Sequence, residues 1–140
     1  MRFLSFHVNS FGYKITKKGR SKIIEEITEE NKENHIENAI VLFIASDKED
    51  ESNLDIIENL IYEILKIVRQ LKVKNIVLIP FAHLFGQLSS MDYAFESLKN
   101  IEKFLKEKGF FVIRMPFGWF SEFDMKAKGH PLSRISRIIN

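Results

Sequence analysis

Two short apolar runs, 39-AIVLFIAS-46 and 75-NIVLIPF-81, decide the fold. Each has the length of a strand and no polar alternation, which predicts strands covered on both faces, as in parallel sheets. Between them Leu54, Ile57, Ile61, Ile64, Leu65, Val68 and Leu71 recur at three- and four-residue spacings. That period predicts an amphipathic helix, with Ser52 or Asn53 placed to accept its first unpaired backbone N–H groups. Strand, helix and strand in this order imply a crossover between parallel neighbours.

Working outward, Pro80 has no N–H for a ladder, so the chain should leave the sheet there. Met91, Ala94, Phe95, Leu98, Ile101 and Leu105 then predict a second inward-facing helix, with Gly109 suited to the position just past its end. Residues 110–114 and 122–128 read as strands around the bend 115-MPFGW-119, and Pro131 opens a last short helix through Arg137. At the other end, residues 2–9 read as a strand, Ser10-Phe11-Gly12 as a turn and residues 12–16 as the second arm of a hairpin. The polar residues 17–37 read as a long excursion with at most a short helical piece. The fold class is a single-domain α/β protein, a mixed β-sheet with two main amphipathic helices.

The 140 residues are 45% hydrophobic and 29% charged, the balance of one globular domain, 1–140, that buries a real core. With no cysteine, disulfides, thiolate metal sites and cysteine nucleophiles are excluded, and a cytoplasmic setting is the natural reading. The start MRFLSFHVNS is too short an apolar run for a signal peptide, and no stretch approaches about 20 uninterrupted apolar residues, so a soluble protein is expected. The net charge of +2 is unevenly spread, acidic over 25–37 and 47–51 and basic in the last third. Such asymmetry permits contact with a polyanion, although solvated helix faces account for most of these charges equally well.

Sites in sheets of this kind gather beyond the carboxyl ends of the parallel strands. The segments there are 45-ASDK-48, 80-PFAHLFG-86 and 116-PFGWFS-121. Backbone groups freed where a proline ends the ladder can line a pocket for a small polar ligand. GxSxG, P-loop, GxGxxG and HExxH motifs are all missing. His7, His83 and His130 could meet across the sheet, but no metal-ligand spacing is recognised among them and no metal is expected. His83 is the candidate for general acid/base or hydrogen-bonding work. Phe110, Phe111, Phe117 and Phe123 read as core, whereas Trp119 and Phe120, at the bend, are placed to line a pocket or to stack on a base.

Taken together and in order, PFAHL, PFGWF and KGHPLSRISR behind an MRFLSFHVN start resemble the N-terminal editing domain of archaeal threonyl-tRNA synthetases. The resemblance covers essentially the whole chain. It implies a fold like that of the D-aminoacyl-tRNA deacylases and hydrolysis of seryl-tRNA made in error on the threonine tRNA. It also implies a homodimer, a longer synthetase to which the domain belongs, and no cofactor, ATP and zinc belonging to the aminoacylation core. A pocket built from Ala45, Ser46, Pro80, Phe81, Ala82, Phe117 and Gly118, bordered by Trp119 and Phe120, would fit serine and exclude the extra methyl of threonine. His83 falls on the family's functional histidine, His7 and Asn9 on its first-strand end, and Gly129-His130-Pro131 on its last turn. Two positions depart: Ser121 stands where the family has lysine and Arg134 where it has glutamate. Lys126 or Lys128 could supply the missing cation, or the chemistry depends mainly on the 2′-hydroxyl of the tRNA's terminal adenosine, the reading preferred here. Ser121 and Lys126 therefore join His83 as catalytic candidates. A free-standing D-aminoacyl-tRNA deacylase and a non-catalytic tRNA-binding or dimerisation module remain as alternatives.

Overall fold

The buried run 39–45 sits in the middle of the architecture because every neighbour needs it. In the computed structural model, which describes residues 1–84 and 86–140, the strands are β1 (Arg2–Lys18), β2 (Glu33–Ala45), β3 (Asn75–Pro80), β4 (Phe111–Arg114), β5 (Trp119–Ala127) and β6 (Arg134–Ile138). The helices are α1 (Ile56–Leu71) and α2 (Met91–Glu107). They form one mixed sheet in the order β4-β3-β2-β1-β5, with β6 also paired to β1. The β2-β3-β4 part is parallel, while β1 runs antiparallel to β2, β5 and β6. The expected fold class is the one observed.

Two hydrophobic clusters follow from the pleat. Ile40, Leu42, Ile44, Ile76 and Leu78 point to one face and meet Ile56, Leu60, Ile64 and Val68 of α1 and Leu98, Ile101 and Leu105 of α2. The alternate residues Val41, Phe43, Val77, Ile79 and Ile113 point to the other face, where no helix residue joins the cluster among the described residues. Phe11 and Tyr13 of β1 and Ile36 of β2 join that second cluster, with Met125 of β5 packed against it. The long hairpin therefore curls back over its own sheet. The extra residue at the register shift between Val8 and Ser10 is a β-bulge, a feature that bends a strand and increases its twist.

Four expectations are corrected. Residues 10–12 are not a turn: β1 runs on through them, and the hairpin is β1 with β2. A Cβ at Gly12 would lie 3.1 Å from Asp124 Oδ1 and 3.4 Å from His35 Nδ1, side chains of the two flanking strands. The excursion 17–37 ends early, β2 beginning at Glu33, and carries no helix. The helix expected at 131–137 is a tight turn closed by Ser133 on His130, followed by β6 on the free edge of β1. Finally, α1 starts at Ile56 rather than near Ser52 and leaves Leu54 95% exposed.

The last correction has a local cause. Asp47 caps a separate 3₁₀ turn, Lys48–Ser52, in a reciprocal box with Asp50, which pulls these residues away from α1. Of the aromatic residues read as core, Phe111 is 61% exposed on the edge strand β4, and Phe123 is only half covered, stacked on Phe11 at 5.9 Å. Gly109 does close α2 as expected, with φ +93° and Phe110 N–H donating back to Leu105 O. No helix is long and apolar enough to cross a membrane among the described residues.

Candidate active site

Beyond the carboxyl ends of β2, β3 and β4 lies a cavity of about 270 Å³. Its floor is Ile44 and Leu98, and its walls are Ser46, the stretch Pro80-Phe81-Ala82, and the bend Pro116-Phe117-Gly118-Trp119. Ser21, Leu88, Ser89, Met91 and Ala94 complete the rim. The lining mixes small residues, among them Ser46, Ala82, Ala94 and Gly118, with the large apolar side chains of Phe81, Met91, Phe117 and Trp119.

Each wall is held by a different device. Pro80 ends β3, and the next residue, Phe81, donates its N–H to Ile44 O at 3.0 Å. The chain then returns antiparallel to residues 46–48, with Ser89 N–H donating to Ser46 O at 3.1 Å. Ser90 caps α2 by accepting from Tyr93 N–H, which aims the helix start, Met91 and Ala94, at the rim. Gly118 adopts φ +88°, and any Cβ there would stand 2.4 Å from Ile23 O. Only glycine fits this bend.

The bend is strapped from outside by residues 19–32. Gly19 N–H donates to Gly118 O at 2.9 Å, and Glu25 N–H donates to Phe117 O at 3.0 Å. The Glu25 carboxylate accepts both prongs of the Arg114 guanidinium, at 2.7 and 2.9 Å, and also Phe117 N–H at 2.9 Å. Its carbonyl accepts Trp119 Nε1–H at 2.7 Å. Burial alone would push the Glu25 carboxyl up, but hydrogen bonds from Arg114 and Phe117 and the charges of Arg114 and Lys99 outweigh it and hold the group below the usual range. Arg114 is fixed in turn by Glu102 Oε1 at 3.0 Å and by the Phe95 ring.

The sequence candidates fall into three groups. Ser46, Pro80, Phe81, Ala82, Phe117, Gly118 and Trp119 line the cavity together. His83 lies one residue beyond Ala82, exposed, its ring edge-on to Phe81 at 5.4 Å. Ser121 is on β5 opposite Ile15, and the pleat turns it to the same side as Trp119 and Phe123, whose ring lies 5.8 Å from that of Phe43. Lys126 and Phe120, at even positions, point to the opposite, exposed side. Ala45 is buried beside Ser46, paired with Arg2.

His7, Asn9 and His130 form a separate place. His7 pairs with Ile40, four residues before the cavity floor on β2, roughly 13 Å away at the rise of a strand. There His7 Nδ1 and His130 Nε2 are 2.8 Å apart, and Asn9 is exposed at the bulge. His83 does not join them, and no group of three His, Cys, Asp or Glu residues suited to a metal occurs among the described residues. Phe85, within the PFAHLFG segment, lies outside the described residues.

Sequence reading misses Ser21, Ile44, Leu88, Ser89, Met91, Ala94, Leu98 and Pro116 as individual lining residues. Met91 and Ala94 carry a signal, the first turn of a helix entering from the site-bearing edge, although their spacing reads as core. Ser21 carries none, because only the strap brings it there.

The fold is of a known class. It superposes on the c-Myc DNA unwinding element binding protein with a TM-score of 0.69, covering 99% of this chain and 98% of that one at 12% identity. The sequence goes further. The family described as the archaea-specific editing domain of threonyl-tRNA synthetase matches residues 1–139, and the chain belongs to it. Threonine–tRNA ligases of Methanobrevibacter smithii and Methanocaldococcus jannaschii are 41% and 42% identical over 140 residues, 99% of this chain. The chain spans under a quarter of each relative's length, 23% and 22%. The enzyme class that the sequence suggested, an aminoacyl-tRNA deacylase that edits, is the class this membership defines.

Proposed function

We propose that the cavity receives the aminoacyl group of L-seryl-tRNA formed in error on the threonine tRNA and that the domain hydrolyses its ester. The observation carrying this reading is the size and build of the cavity. About 270 Å³ is at or below the usual small-molecule range and suits a side chain of a few atoms. A synthetic pocket distinguishes ligands differing by one methylene-sized group by only about 1–3 kcal/mol, so a second pocket that excludes the larger product is needed. The Phe117–Gly118 wall, closed from behind by Ile23 O, supplies such an exclusion surface.

In the reaction, a water oxygen adds to the ester carbonyl and the bond to the adenosine 3′-oxygen breaks, releasing serine and a free 3′-hydroxyl. The water needs orienting and the oxyanion needs donors. The hydroxyls of the lining are those of Ser21, Ser46 and Ser89, and among the described residues none is paired with a base in the manner of an activated nucleophile. The substrate's own 2′-hydroxyl is therefore assigned the orienting role, with His83, next to the lining residue Ala82, assisting and Ser121, two residues beyond Trp119 on β5, as the further candidate. Exposed Lys14, Lys17, Lys18, Arg20 and Lys22 flank the lining residue Ser21 and offer phosphate contacts for the acceptor end. A homodimer is the expected assembly.

The test is deacylation of L-seryl-tRNA by the purified domain, beside D-seryl-tRNA and a substrate ending in 2′-deoxyadenosine. Cleavage of the L-ester with strong loss on the deoxy substrate is expected. Preference for the D-ester would replace the substrate assignment, and unchanged cleavage of the deoxy substrate would remove the RNA-assisted step. Binding of tRNA with its ester left intact would make the domain a binding module.

A further inference from the structure

We propose that the Glu25–Arg114 pair sets the width of the cavity and hence its rejection of the amino acid one methyl larger, which makes Glu25 a positioning residue for specificity. The inference rests on the reading of the cavity as a seryl site. Phe117 and Gly118 form the exclusion wall, and that wall touches the rest of the protein on its outer side through the strap. Glu25 bridges this seam in three ways: its N–H donates to Phe117 O, its carboxylate accepts Phe117 N–H, and its carbonyl accepts Trp119 Nε1–H.

Arg114 ties the same carboxylate to the framework. It projects from the end of β4, is held by Glu102 of α2, and faces Phe95, whose ring lies 5.2 Å from that of Phe117. The wall is thus clamped between a fixed guanidinium and the strap. A forked Arg–carboxylate pair has a defined geometry as well as a charge, so it fixes position in a way a single hydrogen bond does not. Gly118, with no side chain and a left-handed φ, is held through its carbonyl, which accepts Gly19 N–H at 2.9 Å, and leaves the side-chain anchoring of the wall to Glu25. Loosening Glu25 lets the wall move outward, which enlarges the cavity where a β-methyl would otherwise collide. The consequence is specific: threonyl-tRNA becomes a substrate while seryl-tRNA remains one.

The experiment compares Glu25→Gln and Arg114→Lys with the unsubstituted domain, measuring kcat/KM on seryl- and threonyl-tRNA and acrylamide quenching of Trp119, the chain's one tryptophan. Glutamine keeps an acceptor for Phe117 N–H but loses the charge; lysine keeps the charge but loses the fork. The expected result is a seryl-to-threonyl ratio lowered by about tenfold or more, through gained threonyl cleavage, with Trp119 more readily quenched. An unchanged ratio, or parallel loss of both activities, would overturn the proposal. If Glu25→Gln does not fold, Arg114→Lys carries the same comparison. If the unsubstituted domain cleaves neither ester, the seryl reading fails by itself. Trp119 quenching then still decides the clamp, and unchanged quenching in both variants would sink it.

Discussion

The α-amino group of Met1 donates to Asp50 Oδ1 at 2.7 Å in a place where the two groups are 0% and 5% exposed. The same ammonium reaches Ile139 O at 3.2 Å, and the other Asp50 oxygen accepts Asp47 N–H at 2.8 Å. Tyr93 O–H on α2 bonds to Asp50 O. Asp50 thus joins the chain start and the 3₁₀ turn through its carboxylate and the helix that rims the cavity through its carbonyl. Removing one partner of a buried pair strands the other charge and costs about 3–5 kcal/mol. Asp50→Asn is expected to lose about that much in urea unfolding, and N-acetylation of Met1 should act in the same direction.

The His7–His130 contact predicts acid sensitivity above the carboxylate range. Leu132 N–H donates to His130 Nδ1 at 3.2 Å, which leaves the His130 proton on Nε2 to donate to His7 Nδ1. Burial pushes the His7 imidazole below its ordinary value; the Asn38 side chain opposes this, and the charges of Lys128 and His130 add to it. The unfolded chain therefore takes up its proton first, near pH 6.5. This stability is complete above that pH and declines as pH falls toward the lowered folded value, by at most about 1.4 kcal/mol per pH unit for one proton. Urea midpoints at pH 8 and pH 5.5 should differ, and His7→Gln should flatten the difference. Glu25, whose value is lowered from 4.5, acts in a separate window, its contribution being lost only as pH falls below that.

Lys72 ends α1 in the left-handed region, with φ +56°, while Val73 N–H donates to Val68 O. Glycine is the residue suited to that position, and the left-handed form costs other residues about 1–2 kcal/mol. Lys72→Gly is expected to raise the melting temperature by about 2–4 °C without touching activity. A fall would mean that the side chain holds the turn.

Gly118→Ala should be severe for the opposite reason. The substitution meets Ile23 O at 2.4 Å and disfavours φ +88°. Either the strap lifts or the wall collapses, and seryl-tRNA cleavage should fall by at least about 100-fold, the loss associated with misplacing a positioned substrate by about 1 Å. Retained activity in the Gly118→Ala variant would show that the wall is softer than its backbone packing implies.

The cations on either side of Ser21 should act through phosphates. Replacing Lys17, Lys18, Arg20 and Lys22 by glutamine is expected to raise KM for seryl-tRNA and to flatten the dependence of log kcat/KM on log salt, by up to about 0.9 for each phosphate no longer neutralised. Cleavage of a seryl-adenosine fragment lacking the acceptor stem should be unchanged.

The legible parts of this fold are those with a period. Residues 39–45 and 75–80, and the helices around Ile61 and Ile101, declare themselves because their side chains repeat at strand or helix spacing. The outer hairpin does not, since Ser10-Phe11-Gly12 looks like a turn although β1 runs on through it, paired on both sides. Likewise, 134-RISRI-138 alternates as a strand does, yet Pro131 ahead of it suggests a helix opening. The cavity is legible as far as its Pro-Phe segments and the Phe117–Gly118 bend. Its back wall is not, because the strap reaches Phe117 through Glu25, 92 positions earlier in the chain, and no local pattern encodes that contact.

Cleavage of a seryl ester with sparing of a threonyl one is the behaviour on which the proposed function stands or falls. Side-by-side single-turnover deacylation of L-seryl- and L-threonyl-tRNA by the purified domain tests it most directly. Seryl cleavage is expected to be faster by about 100-fold or more, the scale on which sites that go beyond simple methylene discrimination operate. Equal rates on the two esters, or faster loss of threonine, would contradict it.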